Sequence, residues 1–250
     1  MSEFIQDTRL DDGIAVMSLN RAPVNALNPT FLRAIYDHAQ MLEDDASVRA
    51  VVLTGNEKLL SAGMDLKELI DYSAEDERAT VTGLNETFCK LYGFSKPLIT
   101  AANGHAIAGG LFFVFCGDYR IGVDGSLFGL TEVRVGVDFP VGPLGIARHE
   151  MAPNVARRIF QRGQNVDAKQ AVAWGILDEL SEPEALLNRA VELAREYAAI
   201  PPKAYAAVKK QVRGPALSII SEANAKGSDP ALKGWRTDET QQAARAILKN

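Results

Sequence analysis

The chain has 250 residues, of which 47% are hydrophobic and 24% charged. This globular composition excludes a disordered tail, a collagen-like fibre and a low-complexity chain, and the length suits one large domain or one and a half. Twenty-seven Lys and Arg against 32 Asp and Glu leave a formal charge of −5, so there is no basic excess to attract nucleic acid, although a local basic cluster can still take a phosphorylated small molecule.

Cys89 and Cys116 are the two cysteines. They make neither a disulfide framework nor a zinc pattern, and two buried free thiols are expected. The first residues, MSEFIQDTRLDDG, carry acids and no apolar run, so no signal peptide is expected. No stretch approaches the ~18 consecutive apolar residues of a membrane span. A soluble cytoplasmic protein is the expectation, with no membrane partner.

In chain order, Ile14–Leu19 is a strand candidate after an Asp-Asp-Gly turn. Asn28-Pro29 opens a helix, with Asn as cap and Pro at the first helical position. Its apolar face is Phe31, Ile35, Ala39 and Leu42, and His38 is expected to face solvent. A buried strand follows at 50–54, then helical stretches at 66–72 and 74–92 and a strand at 97–102. Gly109 and Gly110 open an apolar helix through Phe115. Short strands are expected at 119–123 and 126–128. From Val141 the pattern is helical apart from a strand near 176–180, and the last ~60 residues are helices punctuated by Pro201-Pro202, Gly214-Pro215 and Asp229-Pro230. Alternating strands and helices predict an α/β fold. A composition shift near Glu182-Pro183 softens into a division between a core at 1–190 and a helical region at 191–250 that packs on its own domain or on another subunit.

The common mechanistic motifs are missing: no G-x-x-x-x-G-K-[ST], no G-x-G-x-x-G after a strand, no G-x-S-x-G. No metal-ligand spacing occurs either, so no metal is expected. His38, His105 and His149 are the three histidines, and a structural role is expected for His105. Two glycine-centred segments carry the chemistry instead. One is Ser61-Ala62-Gly63-Met64-Asp65-Leu66, and the other is Asn103 through Gly110. Small residues let a ligand approach the backbone, and amides at a helix start offer free N–H groups to negative charge. Two such segments brought together make a pair of donors for a developing oxyanion.

Taken with Arg21 through Leu27, Lys96-Pro97, Cys116-Gly117-Asp118-Tyr119-Arg120 and Phe128-Gly129-Leu130-Thr131-Glu132, these segments resemble the crotonase (enoyl-CoA hydratase/isomerase) superfamily, in family order from Ile14 to about Leu180. The resemblance implies a spiral of ββα repeats with a helical C-terminal trimerisation region, assembled as a homotrimer or a dimer of trimers. It implies an acyl-CoA thioester substrate, with coenzyme A entering as part of that substrate and no permanently bound cofactor. Position by position it makes Met64 and Gly109 the two oxyanion amides, with Ala108 where the family has a glycine and Gly110 following. It places CoA along the backbone of Asn25, Ala26 and Leu27 and of Ala62, Gly63, Asp65 and Leu66. Asp65 also suits a helix cap. Glu132 matches one catalytic glutamate of the family, and without the resemblance it would read as a surface acid paired with Arg134 or Arg120.

Phe112 stands where family hydratases carry a second glutamate. One carboxylate in a dry pocket suits Δ3-Δ2-enoyl-CoA isomerase chemistry, and the tail from Trp235 to Leu248 is similar to isomerase tails. Asp138 lies in a segment that lines acyl pockets in the family. As a second carboxylate it would revive hydration, dehydration or hydrolysis; the reading adopted is a cap for the helix near Val141. A non-catalytic acyl-CoA-binding protein is the alternative of another class. Lys209 and Lys210 are candidates for the CoA phosphates, with a solvated helix face as the equal alternative.

Overall fold

Strand alternation decides how the two faces of the main sheet are covered. The computed structural model describes residues 3–248. In chain order the first half holds β1 (Ile5–Arg9), β2 (Ile14–Leu19), α1 (Pro29–Asp44), β3 (Ala50–Thr54), α2 (Leu66–Leu69), α3 (Ala74–Tyr92), β4 (Leu98–Ala102) and β5 (Ala106–Ile107). Then come α4 (Leu111–Cys116), β6 (Tyr119–Val123), β7 (Leu127–Gly129), α5 (Val141–Glu150), α6 (Pro153–Arg162), β8 (Asn165–Asp167), α7 (Ala168–Ala173) and β9 (Glu179–Ser181). Helices α8 (Leu186–Ala198), α9 (Pro202–Lys226) and α10 (Asp238–Leu248) complete the chain.

The main sheet runs β1-β2-β3-β4-β6-β9, antiparallel between β1 and β2 and parallel elsewhere. Ile14, Val16, Ala50, Val52, Ile99, Ala101, Ile121 and Val123 point to one face, which α8 covers with Leu186, Ala190, Leu193 and Ala194. The alternate residues, among them Met17, Leu19, Val51, Leu53 and Leu98, enter the larger core shared with α1, α3, α4 and α5. This two-residue period separates the layers. A boundary between 190 and 191 would fall inside α8. The fold is the expected α/β architecture.

Several elements coincide with the sequence reading, including β2, β3, α3 and β6, and Asn28 caps α1 by accepting from the Phe31 N–H at 2.8 Å. Differences have local causes. β1 was not anticipated because IQDTR is a polar edge strand with no apolar alternation. It covers His38, which is buried, with Nε2 3.5 Å from Asp7 Oδ2, instead of facing solvent. The two-residue β5 and the three-residue β8 were too short to show a pattern. The 176–180 strand is confined to Glu179–Ser181, because the N–H groups of Ile176 and Leu177 both donate to the Ala171 carbonyl at the end of α7. The 66–72 helix stops at Leu69, where Arg236 takes the carbonyls of Leu69, Ile70 and Tyr72. Gly214-Pro215 does not break the tail; α9 runs through it for 25 residues, its buried face offsetting the ~3 kcal/mol of an internal proline.

Candidate active site

Three short segments distant in sequence lie side by side. Ser61 bridges Ala106, and β5 pairs in parallel with β7 in the register Ala106↔Phe128 and Ile107↔Gly129. The chain just after each pairing therefore converges: Ala62 to Met64, Ala108 to Gly110, and Thr131-Glu132.

Leu27 holds the first segment by donating to the Gly63 carbonyl at 2.8 Å and accepting from the Asp65 N–H at 2.9 Å. In a parallel bridge those groups point toward Leu27, so the Met64 N–H points away from it. Gly109 is the second residue of a 3₁₀ turn at Ala108–Gly110 that opens α4. A first-turn N–H has no partner inside its own helix. The two segments touch through glycines. A Cβ on Gly63, whose φ is +86°, would lie 2.8 Å from Ala108 Cβ and 3.2 Å from Gly109 N, and one on Gly110 would lie 2.3 Å from the Ser61 carbonyl oxygen. Ala108 itself has φ +50°, a left-handed conformation that costs an alanine roughly 1–2 kcal/mol.

The far end of α4 is clamped by arginines. Arg213, on α9, donates to the carbonyls of Tyr92 and Cys116 at 3.0 Å and of Gly117 at 2.9 Å. Arg120 donates to the Phe115 and Gly117 carbonyls at 3.3 Å. Cations at a helix C-terminus complement its dipole. Asp118 holds the arrangement in charge balance, pairing with Lys209 at 2.6 Å and Arg213 at 3.1 Å. Lys209 is thus buried and committed to Asp118, which withdraws it as a phosphate ligand; Lys210 is exposed. Burial pushes the Lys209 ammonium down to about 8, against the pull of Asp118.

Glu132 begins a 3₁₀ turn that ends at Gly136, φ +69°. It is 7% exposed, and its Oε2 has no hydrogen-bond partner among the described residues. Neither Arg134 nor Arg120 pairs with it: Arg134 reaches the Arg162 and Gly163 carbonyls, and Arg120 pairs with Glu150. Burial pushes the Glu132 carboxyl up to about 8, partly opposed by its own backbone N–H.

A cavity of about 200 Å³ joins these groups. Of the residues singled out from the sequence, Ala62, Met64, Leu66, Gly109, Phe112, Glu132 and Asp138 line it. Phe112 is 2% exposed and packs on Phe88 at 5.4 Å and Phe139 at 6.3 Å between ring centroids. Asn25, Ala26, Leu27, Gly63, Asp65 and Gly110 are not in the lining; they build the frame. Asn25, fully buried at φ +48°, donates to the Leu60 carbonyl at 2.9 Å and accepts from the Arg21 N–H at 2.8 Å. Asp65 caps α2 through the Lys67 and Glu68 N–H groups and pairs with Arg21 at 2.8 Å. His105 accepts from the Leu127 N–H at 2.9 Å.

Asp138 is exposed and does not cap α5. That helix starts after Pro140. Asp229 accepts from the Val141 N–H at 2.9 Å and Asn85 from the Gly142 N–H at 2.7 Å. Sequence reasoning also missed Trp235 and Ile247 of the tail, which line the cavity.

A family model described as "Enoyl-CoA hydratase/isomerase" matches residues 9–228. The chain belongs to the enoyl-CoA hydratase/isomerase family. Among relatives of this family, the probable enoyl-CoA hydratase EchA17 of Mycobacterium tuberculosis is 31% identical over 207 residues, covering 82% of this chain and 78% of that protein. The crystal structure of the probable enoyl-CoA hydratase EchA3 of Mycobacterium tuberculosis is 32% identical, with a TM-score of 0.84 over 90% of this chain and 95% of the other. Human mitochondrial Δ3-Δ2-enoyl-CoA isomerase is 26% identical but superposes with a TM-score of 0.91 over 99% of this chain and 97% of its own. Family membership makes the chain an acyl-CoA enzyme of the hydratase/isomerase type.

Proposed function

We propose that the protein shifts the double bond of a 3-enoyl-CoA to 2-trans-enoyl-CoA, with Glu132 carrying the proton. The observation that carries this reading is one buried carboxyl with an unpartnered oxygen, sharing its cavity with Phe112 and not with a second buried acid.

The thioester carbonyl oxygen accepts from the N–H groups of Met64 and Gly109. Negative charge gathers on that oxygen as the C2–H bond breaks, so the two amides act where charge develops. The Glu132 carboxylate takes the C2 proton, the electron pair moves through C3, and the resulting carboxylic acid delivers the proton to C4. One group performs both transfers and no water is consumed. A carboxyl held near 8 is basic enough to take the proton and acidic enough to return it. Phe112, packed between Phe88 and Phe139, keeps the site dry. Coenzyme A enters as part of the substrate past Ala62, Met64 and Leu66, which line the cavity, and the chemistry requires no resident cofactor or metal.

The test is turnover of 3-enoyl-CoA and of 2-enoyl-CoA in heavy-oxygen water. Isomerised product without label is expected, and Glu132→Gln should lower kcat by about 10²–10⁴. Label in the product overturns the reading in favour of hydration. Asp138 in the lining and the hydratase name of the EchA17 relative favour that second reading; Asp138→Asn would then abolish the labelling.

The protein acts as a homotrimer in the cytoplasm on this reading. An outward apolar stripe on α9 (Val208, Val212, Ile219) supports assembly, and two free cysteines suit a reducing compartment. Among the described residues no helix is long and apolar enough to cross a membrane.

A further inference from the structure

One wall of the cavity is built by the chain's own tail. Trp235 and Ile247 line it together with Leu84, Phe139 and Pro143. Trp235 is 4% exposed, and its Nε1 donates to the Asp138 carbonyl at 2.9 Å. The next residue anchors it. Arg236 pairs with Glu77 at 2.6 Å and donates to the Leu69 and Ile70 carbonyls at 2.5 and 2.9 Å. A ring fixed at its own nitrogen and at the adjoining residue cannot swing aside for a longer ligand. Ile247, on α10, is 47% exposed and borders the same space. Its helix is tied down where Thr240 donates to the Gly136 carbonyl at 2.7 Å.

We infer that Trp235 and Ile247 set the upper limit of acyl-chain length, so that the enzyme takes short and medium acyl groups in preference to long ones. The inference rests on the isomerase reading for its substrate but not for its geometry. The cavity has a volume of about 200 Å³. It is smaller than the ~300 Å³ at which pockets for larger ligands begin. A methylene that does not fit a rigid apolar pocket costs about tenfold or more in kcat/KM.

The experiment measures kcat/KM for 3-enoyl-CoAs of six, eight, ten and twelve carbons. In parallel, Kd is measured calorimetrically for the saturated acyl-CoAs of the same lengths. Wild type should favour six to eight carbons over twelve by at least about tenfold in both series. Trp235→Ala should raise the twelve-to-six ratio about tenfold, and Ile247→Trp should lower the eight-to-six ratio. The inference is overturned if wild type favours twelve carbons. It is equally overturned if the variants, folded by circular dichroism, keep both ratios within about twofold of wild type. Should Trp235→Ala not fold, Ile247→Trp and Ile247→Ala, which alter a half-exposed side chain, decide alone. Absence of turnover at every length would remove the isomerase reading, while the Kd ratios would still judge the length limit.

Discussion

Glu132 is asked to ionise in a place that resists ionisation. Its folded pKa near 8 lies well above the unfolded value of about 4.3. The base must be a carboxylate when substrate arrives, so kcat/KM should rise with pH, reach half its maximum near 8 and level off above. A profile flat from pH 6 to 9 would exclude Glu132 as the base. Stability follows the opposite sign. The native state binds this proton more tightly than the unfolded chain does, so the stabilising contribution is complete below about 4.3 and is lost as pH rises through about 8. Glu132→Gln is free of that penalty. It should melt above wild type at neutral pH by the equivalent of about 3–4 kcal/mol, with a gap that widens from pH 5 to 8. Scanning calorimetry across that range checks it. A stabilised variant with lost turnover would mark a residue kept for chemistry at the expense of the fold.

At the scale of elements, the donors depend on two segments approaching through glycine. Gly63→Ala would place a Cβ at φ +86° and 2.8 Å from Ala108 Cβ. Backbone strain and the clash together should cost about 1–3 kcal/mol of stability. By moving Gly109 N away from Met64 N they should also lower kcat about 10²-fold. Loss of stability with unchanged kcat, measured by urea unfolding and steady-state kinetics, would separate the contact from the donors. These glycines were legible in the sequence because each lies within a few residues of the group it serves. Glu132 was legible only through the resemblance, because its burial depends on contacts its own segment does not show. Asp229 and Trp235 were not. Each acts on a partner about 90 or more residues away, and such contacts leave no periodicity in either segment. Three residues carried a signal that polarity obscured. His38 falls three residues after Ile35 and four before Leu42, on the buried face of α1. Lys209 and Arg213 keep the spacing of Ala216, Ile220 and Ala223 on the buried face of α9.

For the whole molecule, the helical tail faces two ways at once. Its inner side reaches the site of its own chain, through Arg213 behind α4, Thr240 against Gly136, and Trp235 and Ile247 in the cavity. Its outer side repeats Val208, Val212, Pro215 and Ile219 at intervals of four, three and four, which aligns them along one edge of α9. Val208, Val212 and Ile219 are 56, 59 and 62% exposed in the single chain. Full burial of such side chains contributes about 1.5–3 kcal/mol each, enough for a stripe of three to drive self-association where isolated surface residues would not. A carboxylate placed in that stripe would be desolvated without a partner on assembly. Wild type is expected to sediment as a trimer, and Val212→Glu with Ile219→Glu should therefore sediment as a 27.1 kDa monomer. Since Glu132, Trp235 and Ile247 all belong to one chain, a monomer that keeps its fold should retain isomerisation and its preference for chain length. A monomeric wild type would leave the stripe without this role. A dissociated variant that binds acyl-CoA but no longer turns it over would show that a neighbouring subunit helps hold α4 and its donors in place.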